Sequence, residues 1–194
     1  KLAAAVSHED HAVLSATLER GAMLLTLDLR LRNLASAFGL ATCWPQVFLM
    51  HNIDTQLSLR DYSMAVLTMF LRRRDFISLN VHDLHVLVDQ GELWLTAGVN
   101  RLRHQLALPT SDFGKAWKVV KEFLATLYGR GQCEFGVVLE LFSYLLEPLL
   151  RHPRCPENFA QQAAEQVGEA IGAENEQYAR RLMEFSNLTK TRLN

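Results

Sequence analysis

The stretch that most constrains this chain is the uncharged run Ala22–Thr26, held between Gly21 and Asp28. Five residues without a charge, bounded by a glycine on one side and an acid just beyond, read as a short strand buried on both faces. Its flanks are helical. Ser7 is an N-cap with Asp10 three residues on, a capping-box spacing. Ala12, Val13, Ala16 and Thr17 follow at helical spacing, and Leu14 and Leu18 broaden the apolar face. Gly21 supplies the left-handed residue that ends such a helix. Beyond Asp28, Leu29–Phe38 reads as a second helix closed by Gly39, and Leu40–Cys43 as a short edge strand.

These lengths have a geometric consequence. A helix from Asp10 to Arg20 is about 16 Å long at roughly 1.5 Å per residue. A return strand from Ala22 to Asp28 covers about 20 Å at roughly 3.3 Å per residue. A tight turn makes the two antiparallel, so Asp28 at the carboxyl end of the strand should lie near Asp10 at the helix start. Ligands of open α/β sheets bind at the carboxyl ends of the strands. Two carboxylates with little local counter-charge suit a hard cation, magnesium or manganese. Spacing alone leaves a structural alternative open: Asp10 as an acid favoured by the helix dipole, and Asp28 as the N-cap of the next helix.

The rest of the chain is helical in pattern. Trp44-Pro45 marks a boundary, because the residue before proline is pushed out of the helical region. Helices are expected over Gln46–Asn52, from Ser58 to about Arg74, from Asn80 to Gly91, over Leu93–Leu106, over Asp112–Tyr128 and over Glu134–Leu150, where Pro148 should kink or end the last. HPRCPEN, 152–158, is the clearest loop, and two more helices, Phe159–Ile171 and Asn175–Leu188, follow it. The expected organisation is an α/β piece over residues 1–45 and a larger all-α piece over 46–194, predominantly helical by residue count.

Composition excludes several classes. A formal net charge of -1 gives no global basic excess that would argue for nucleic acid. No apolar run reaches the roughly 18 residues of a membrane span. The three cysteines are far apart and in no metal spacing, so they read as free thiols of a reducing compartment, the cytoplasm. Arg72-Arg73-Arg74 ends a helix where the dipole favours cations; Arg101, Arg103 and His104 could extend a patch for nucleic acid or a partner. His82 and His85 share a helix face but lack a third ligand. Glu134, Glu140 and Glu147, six and seven residues apart on one helix, read as a solvated stripe.

Asp10-His11-Ala12-Val13-Leu14, Ala16, Gly21-Ala22, the apolar strand, Thr26-x-Asp28 and Leu31-Arg32 together resemble the second half of a PIN domain. That family comprises metal-dependent ribonucleases, among them the toxins of many bacterial toxin–antitoxin pairs. The resemblance covers about residues 7–43. It implies that Asp10 and Asp28 are the third and fourth acidic ligands of a Mg2+ or Mn2+ site, and that Thr26 orients it. Arg30 and Arg32 could meet substrate phosphates or simply form the polar face of a surface helix.

The family also carries a first strand ending in aspartate and a glutamate on an early helix. Six residues before Ser7, opening on Lys1 rather than methionine, have no room for them, so that half is expected upstream. The helical piece, in which DFISLNVHDLHVLVDQG resembles helical extensions of PIN-like proteins in bacterial conflict systems, is expected to contact a protein partner or antitoxin. Self-association is left open. The competing expectation is a non-catalytic α-helical interaction module carrying a degenerate PIN-like remnant.

Overall fold

The computed structural model describes residues 7–72, 74, 77–172 and 176–193. Arg73 of the arginine run, Asp75 and Phe76, and the expected helix start at Asn175 lie outside the described residues. The chain is predominantly helical. In order come α1 (His8–Arg20), β1 (Leu24–Leu25), α2 (Leu29–Ala37), β2 (Thr42–Cys43), α3 (Pro45–His51), α4 (Leu59–Leu71), α5 (Val81–Asp89), α6 (Glu92–Leu106), α7 (Phe113–Gly129), α8 (Phe135–Leu150), α9 (Phe159–Ala170) and α10 (Glu176–Thr191). Among the described residues no helix is long and apolar enough to cross a membrane. The chain divides into two compact units, Lys1–Ser78 and Leu79–Asn194. α3 and α4 therefore belong with the α/β elements rather than with the later helices.

In the first unit, α1 opens on a full capping box: the Ser7 hydroxyl accepts the Asp10 N–H, and the Asp10 carboxylate accepts the Ser7 N–H. Gly21, at φ 56°, takes the left-handed conformation that turns the chain back, one that costs a residue with a Cβ. β1 and β2 pair in parallel, Leu24 with Thr42 and Leu25 with Cys43, with α2 as the crossover between them. Leu14, Leu24, Leu31 and Ala35 form the cluster beneath this β–α–β element, with Leu34 and Leu40 packed on it.

The strand corrects the expectation of burial on both faces. It is two residues long; Leu24 is buried, but Leu25 stays 43% exposed and Met23 51% exposed. Adjacent strand residues point to opposite faces, and α1 and α2 both contribute to the Leu24 side. Leu18, expected to widen the apolar face of α1, is 65% exposed, and α1 buries only Leu14 and Thr17. Farther on, the Gln46 amide closes the unit. Its Nε2 donates to Ser78 O at 2.6 Å and to the Tyr62 hydroxyl at 3.2 Å, while its Oε1 accepts the Ser78 N–H at 3.0 Å.

The second unit is all helical. α7 and α8 supply its centre, burying Phe123, Leu124, Leu127, Phe142, Leu145, Leu146 and Leu149, and α10 packs on α8 and α9. Pro148 sits in the last turn of α8, which continues only to Leu150, so the helix ends within a turn of a residue that has no N–H for its ladder. The Ser186 hydroxyl donates to the Ala160 carbonyl and fastens α10 to α9. Phe113, Trp117 and Phe159 meet edge to face at ring separations of 4.8 and 5.1 Å, joining α7 to α9.

Candidate active site at the strand ends

The sequence candidates gather where β1 ends and α1 and α2 begin. Asp28 is the N-cap of α2: its backbone is extended, and its carboxylate Oδ1 accepts the Leu31 N–H at 3.0 Å. The Thr26 hydroxyl accepts the Asp28 N–H at 3.0 Å, so the Thr-x-Asp triplet is a local turn that fixes the backbone carrying the acid.

Asp10, on the first turn of α1, reaches across to Arg30 of α2, whose Nη2 donates to its Oδ2 at 2.6 Å. The Asp10 side chain is 18% exposed and the Arg30 side chain 63%. The start of α1 is thereby tied to the residue two positions beyond Asp28. Both helix N-termini lie at this end, each favouring negative charge through its free N–H groups and dipole.

Arg32 points elsewhere. Its guanidinium carbon stands 3.7 Å from the centre of the Trp44 ring, just beyond β2, a cation–π contact. In sequence Trp44 read only as the residue before a proline; nothing in the periodicity distinguishes an aromatic that boxes an arginine from one that marks a boundary. The Asp10–Arg30 pair, twenty residues apart, was equally silent. Among the described residues no group of three or more His, Cys, Asp or Glu side chains stands together in a way that would hold a metal ion.

Apart from Cys43 and the arginine run at 72–74, the other sequence candidates lie in the second unit. His85 is buried between α5 and α7, its Nε2 2.6 Å from the Thr126 hydroxyl and its Nδ1 3.2 Å from Gln132 Oε1. Thr126 Oγ1 itself donates to Glu122 O at 2.7 Å. Burial, and after it the nearby Arg130, pushes the His85 pKa below its ordinary value. Arg103 of α6, expected to extend a patch for nucleic acid or a partner, meets Glu147 of α8, expected on a solvated stripe, in an ion pair. The cysteines, Cys43, Cys133 and Cys155, are free thiols, each half-buried. Burial raises the pKa of Cys133 and Cys155, which makes them poor nucleophiles.

The fold and site define a helical protein with a parallel β–α–β element and an acid at the start of each of α1 and α2. No family model matches the chain, and neither do curated proteins nor solved structures.

Proposed function

We propose that residues 7–43 are the second half of a PIN-type ribonuclease site, dependent on Mg2+ or Mn2+, and that the helical remainder serves a protein partner such as an antitoxin. The observation that carries this reading is the Asp10–Arg30 contact of 2.6 Å, which ties the start of α1 to the start of α2 beside Asp28. The order helix, glycine turn, strand, Thr-x-Asp, helix and parallel strand agrees with it.

The donor set suits the metal in kind. Both acids offer hard carboxylate oxygens. The Arg30 guanidinium, largely exposed, stands on Asp10 as a cation would. Two acids are half of the family's set, and in this reading the others come from the strand and helix that the family places ahead of α1. When bound, the metal would act as a Lewis acid and lower the pKa of an attacking water. The chain's own part is to hold and to orient. Asp10 and Asp28 offer oxygens from two helix starts, Thr26 fixes the backbone of Asp28, and the N–H groups of α1 and α2 favour the anionic phosphate. Arg30, now on Asp10, would be the nearby cation to pair with that phosphate if a metal took its place.

A second reading rests on a specific observation: Asp10 closes the α1 capping box and Asp28 caps α2, so both acids already have structural work. It makes the chain a non-catalytic interaction module. The test is RNA cleavage by the full-length protein with and without manganese, comparing wild type with Asp10→Asn and Asp28→Asn. Asparagine keeps both caps and removes both charges. Manganese-dependent cleavage lost in both variants, with unchanged melting, supports the nuclease. Cleavage that is absent from the wild type, or unaltered in the variants, overturns it in favour of the interaction module.

A further inference from the structure

Glu140, Tyr144 and Glu147 of α8 and Arg151 just past its end form one stripe along two adjoining clefts, one toward α6 and one toward α10. The cleft on the α6 side has a volume of about 410 Å³ and the one on the α10 side about 310 Å³. Tyr144, Glu147 and Arg151 line both.

Glu147 is shared between two arginines. Arg151 Nη2 donates to its Oε1 at 2.9 Å, and Arg103 Nη2 donates to its Oε2. Arg103 is held a second way, with its guanidinium carbon 4.3 Å from the centre of the Tyr144 ring, and Tyr144 is fixed in turn by donating its hydroxyl to Asn100 Oδ1. The conformational entropy of the long Arg103 side chain is therefore spent before any ligand arrives. A guanidinium has five N–H donors in a planar fork, more than one shared carboxylate and a ring face can take up.

Arg192 and Glu140 also line the α10-side cleft, so across both clefts three guanidinium charges stand against two carboxylates, one positive charge in excess. A monocarboxylate ligand would only replace Glu147, with no electrostatic gain. A dianion that displaces Glu147 neutralises Arg103 and Arg151 and accepts from both forks. A phosphate monoester has that charge above its second pKa, near 6, and the matching oxygen geometry.

We propose that this furrow is a binding site for a phosphate monoester group, clamped by Arg103 and Arg151, with Glu147 as a built-in competitor that holds the arginines in place. The proposal stands on the second unit alone and does not depend on the nuclease reading. The phosphate could belong to a small molecule or to the 5′ end of an RNA, and the two sources separate by experiment.

Titration calorimetry of the full chain would use inorganic phosphate, adenosine monophosphate, and one oligoribonucleotide in 5′-phosphorylated and 5′-hydroxyl forms. Saturable binding is expected at about pH 7.5, where the ligand carries its second charge. Glu147→Gln should tighten it by about fivefold or more, and Arg103→Lys, which keeps the charge but loses the fork and the stack, should weaken it by about tenfold. Arg151→Gln should weaken it similarly. Tighter binding of the phosphorylated oligonucleotide than of the small phosphates assigns the RNA end; equal or weaker binding assigns the small molecule. Absence of saturable binding in both wild type and Glu147→Gln overturns the proposal. So does binding that Arg103→Lys and Arg151→Gln leave unchanged while melting shows all variants folded.

Discussion

Arg30 and Asp10 stand twenty residues apart in sequence and 2.6 Å apart in space, a guanidinium on α2 reaching a carboxylate on the first turn of α1. The contact is exposed on its arginine side, so its stabilising effect is small even though its positional effect is large. A double-mutant cycle of Asp10→Asn and Arg30→Gln should give a coupling below about 1 kcal/mol at low salt, diminishing as ionic strength rises. A coupling well above that, insensitive to salt, would mean the pair is a structural clasp rather than an exchangeable one.

Asp28 does local work that can be separated from any chemistry. Asp28→Ala removes the acceptor for the Leu31 N–H and should cost about 1 kcal/mol in urea unfolding, whereas Asp28→Asn should be close to neutral. Equal losses in the two variants would show that the charge, and not the cap, holds α2.

Gly98 of α6 lies against Leu87 of α5: a Cβ added there would come within 2.2 Å of Leu87 Cδ2. Leu87 is fully buried and has little room to move. Overpacking of this kind costs about 1–3 kcal/mol, against a helix-propensity gain of up to about 1 kcal/mol for alanine. Gly98→Ala should therefore destabilise the protein on balance, and its effect in a Leu87→Ala background should be smaller. Thermal melts of the four proteins would check this, and additive effects would contradict it.

His85 gives the fold a pH dependence with a definite sign. Burial and Arg130 lower its pKa from the ordinary 6.5, with the Gln132 hydrogen bond and Asp89 pulling upward and His82 downward. The unfolded chain then binds a proton at a pH where the folded chain does not, and stability rises with pH over that interval. The contribution is complete above the unfolded value and is lost as pH falls below 6.5 toward the folded pKa. Melting temperature measured from pH 5 to 8 should drop on the acid side, and His85→Gln should flatten the drop. A wild-type profile no steeper than that of the variant would exclude His85 as its source.

The helices and caps were legible because their causes are local. Ser7 with Asp10 and Asn80 with Asp83 form capping boxes at the spacing their sequence shows, and Ser58 accepts the Asp61 N–H. Gly21 turns the chain where a residue without Cβ was needed. The strand misled because an uncharged run signals that apolar side chains occur together, not that both sides of them are covered. Leu24 has α1 and α2 on its face while Leu25 remains half exposed, and no sum over five residues contains that difference.

By itself, the sequence determined the helical character of the chain, the order of its elements, and the turn and caps that start and stop them, because backbone preference and hydrogen bonding act over three or four residues. Only the tertiary structure decided which charges meet. Asp10 with Arg30, Arg32 with Trp44, and Arg103 and Arg151 with Glu147 depend on how helices are rotated and packed. That rotation follows from the burial of side chains distant in sequence, such as Leu14, Leu31 and Ala35 around Leu24.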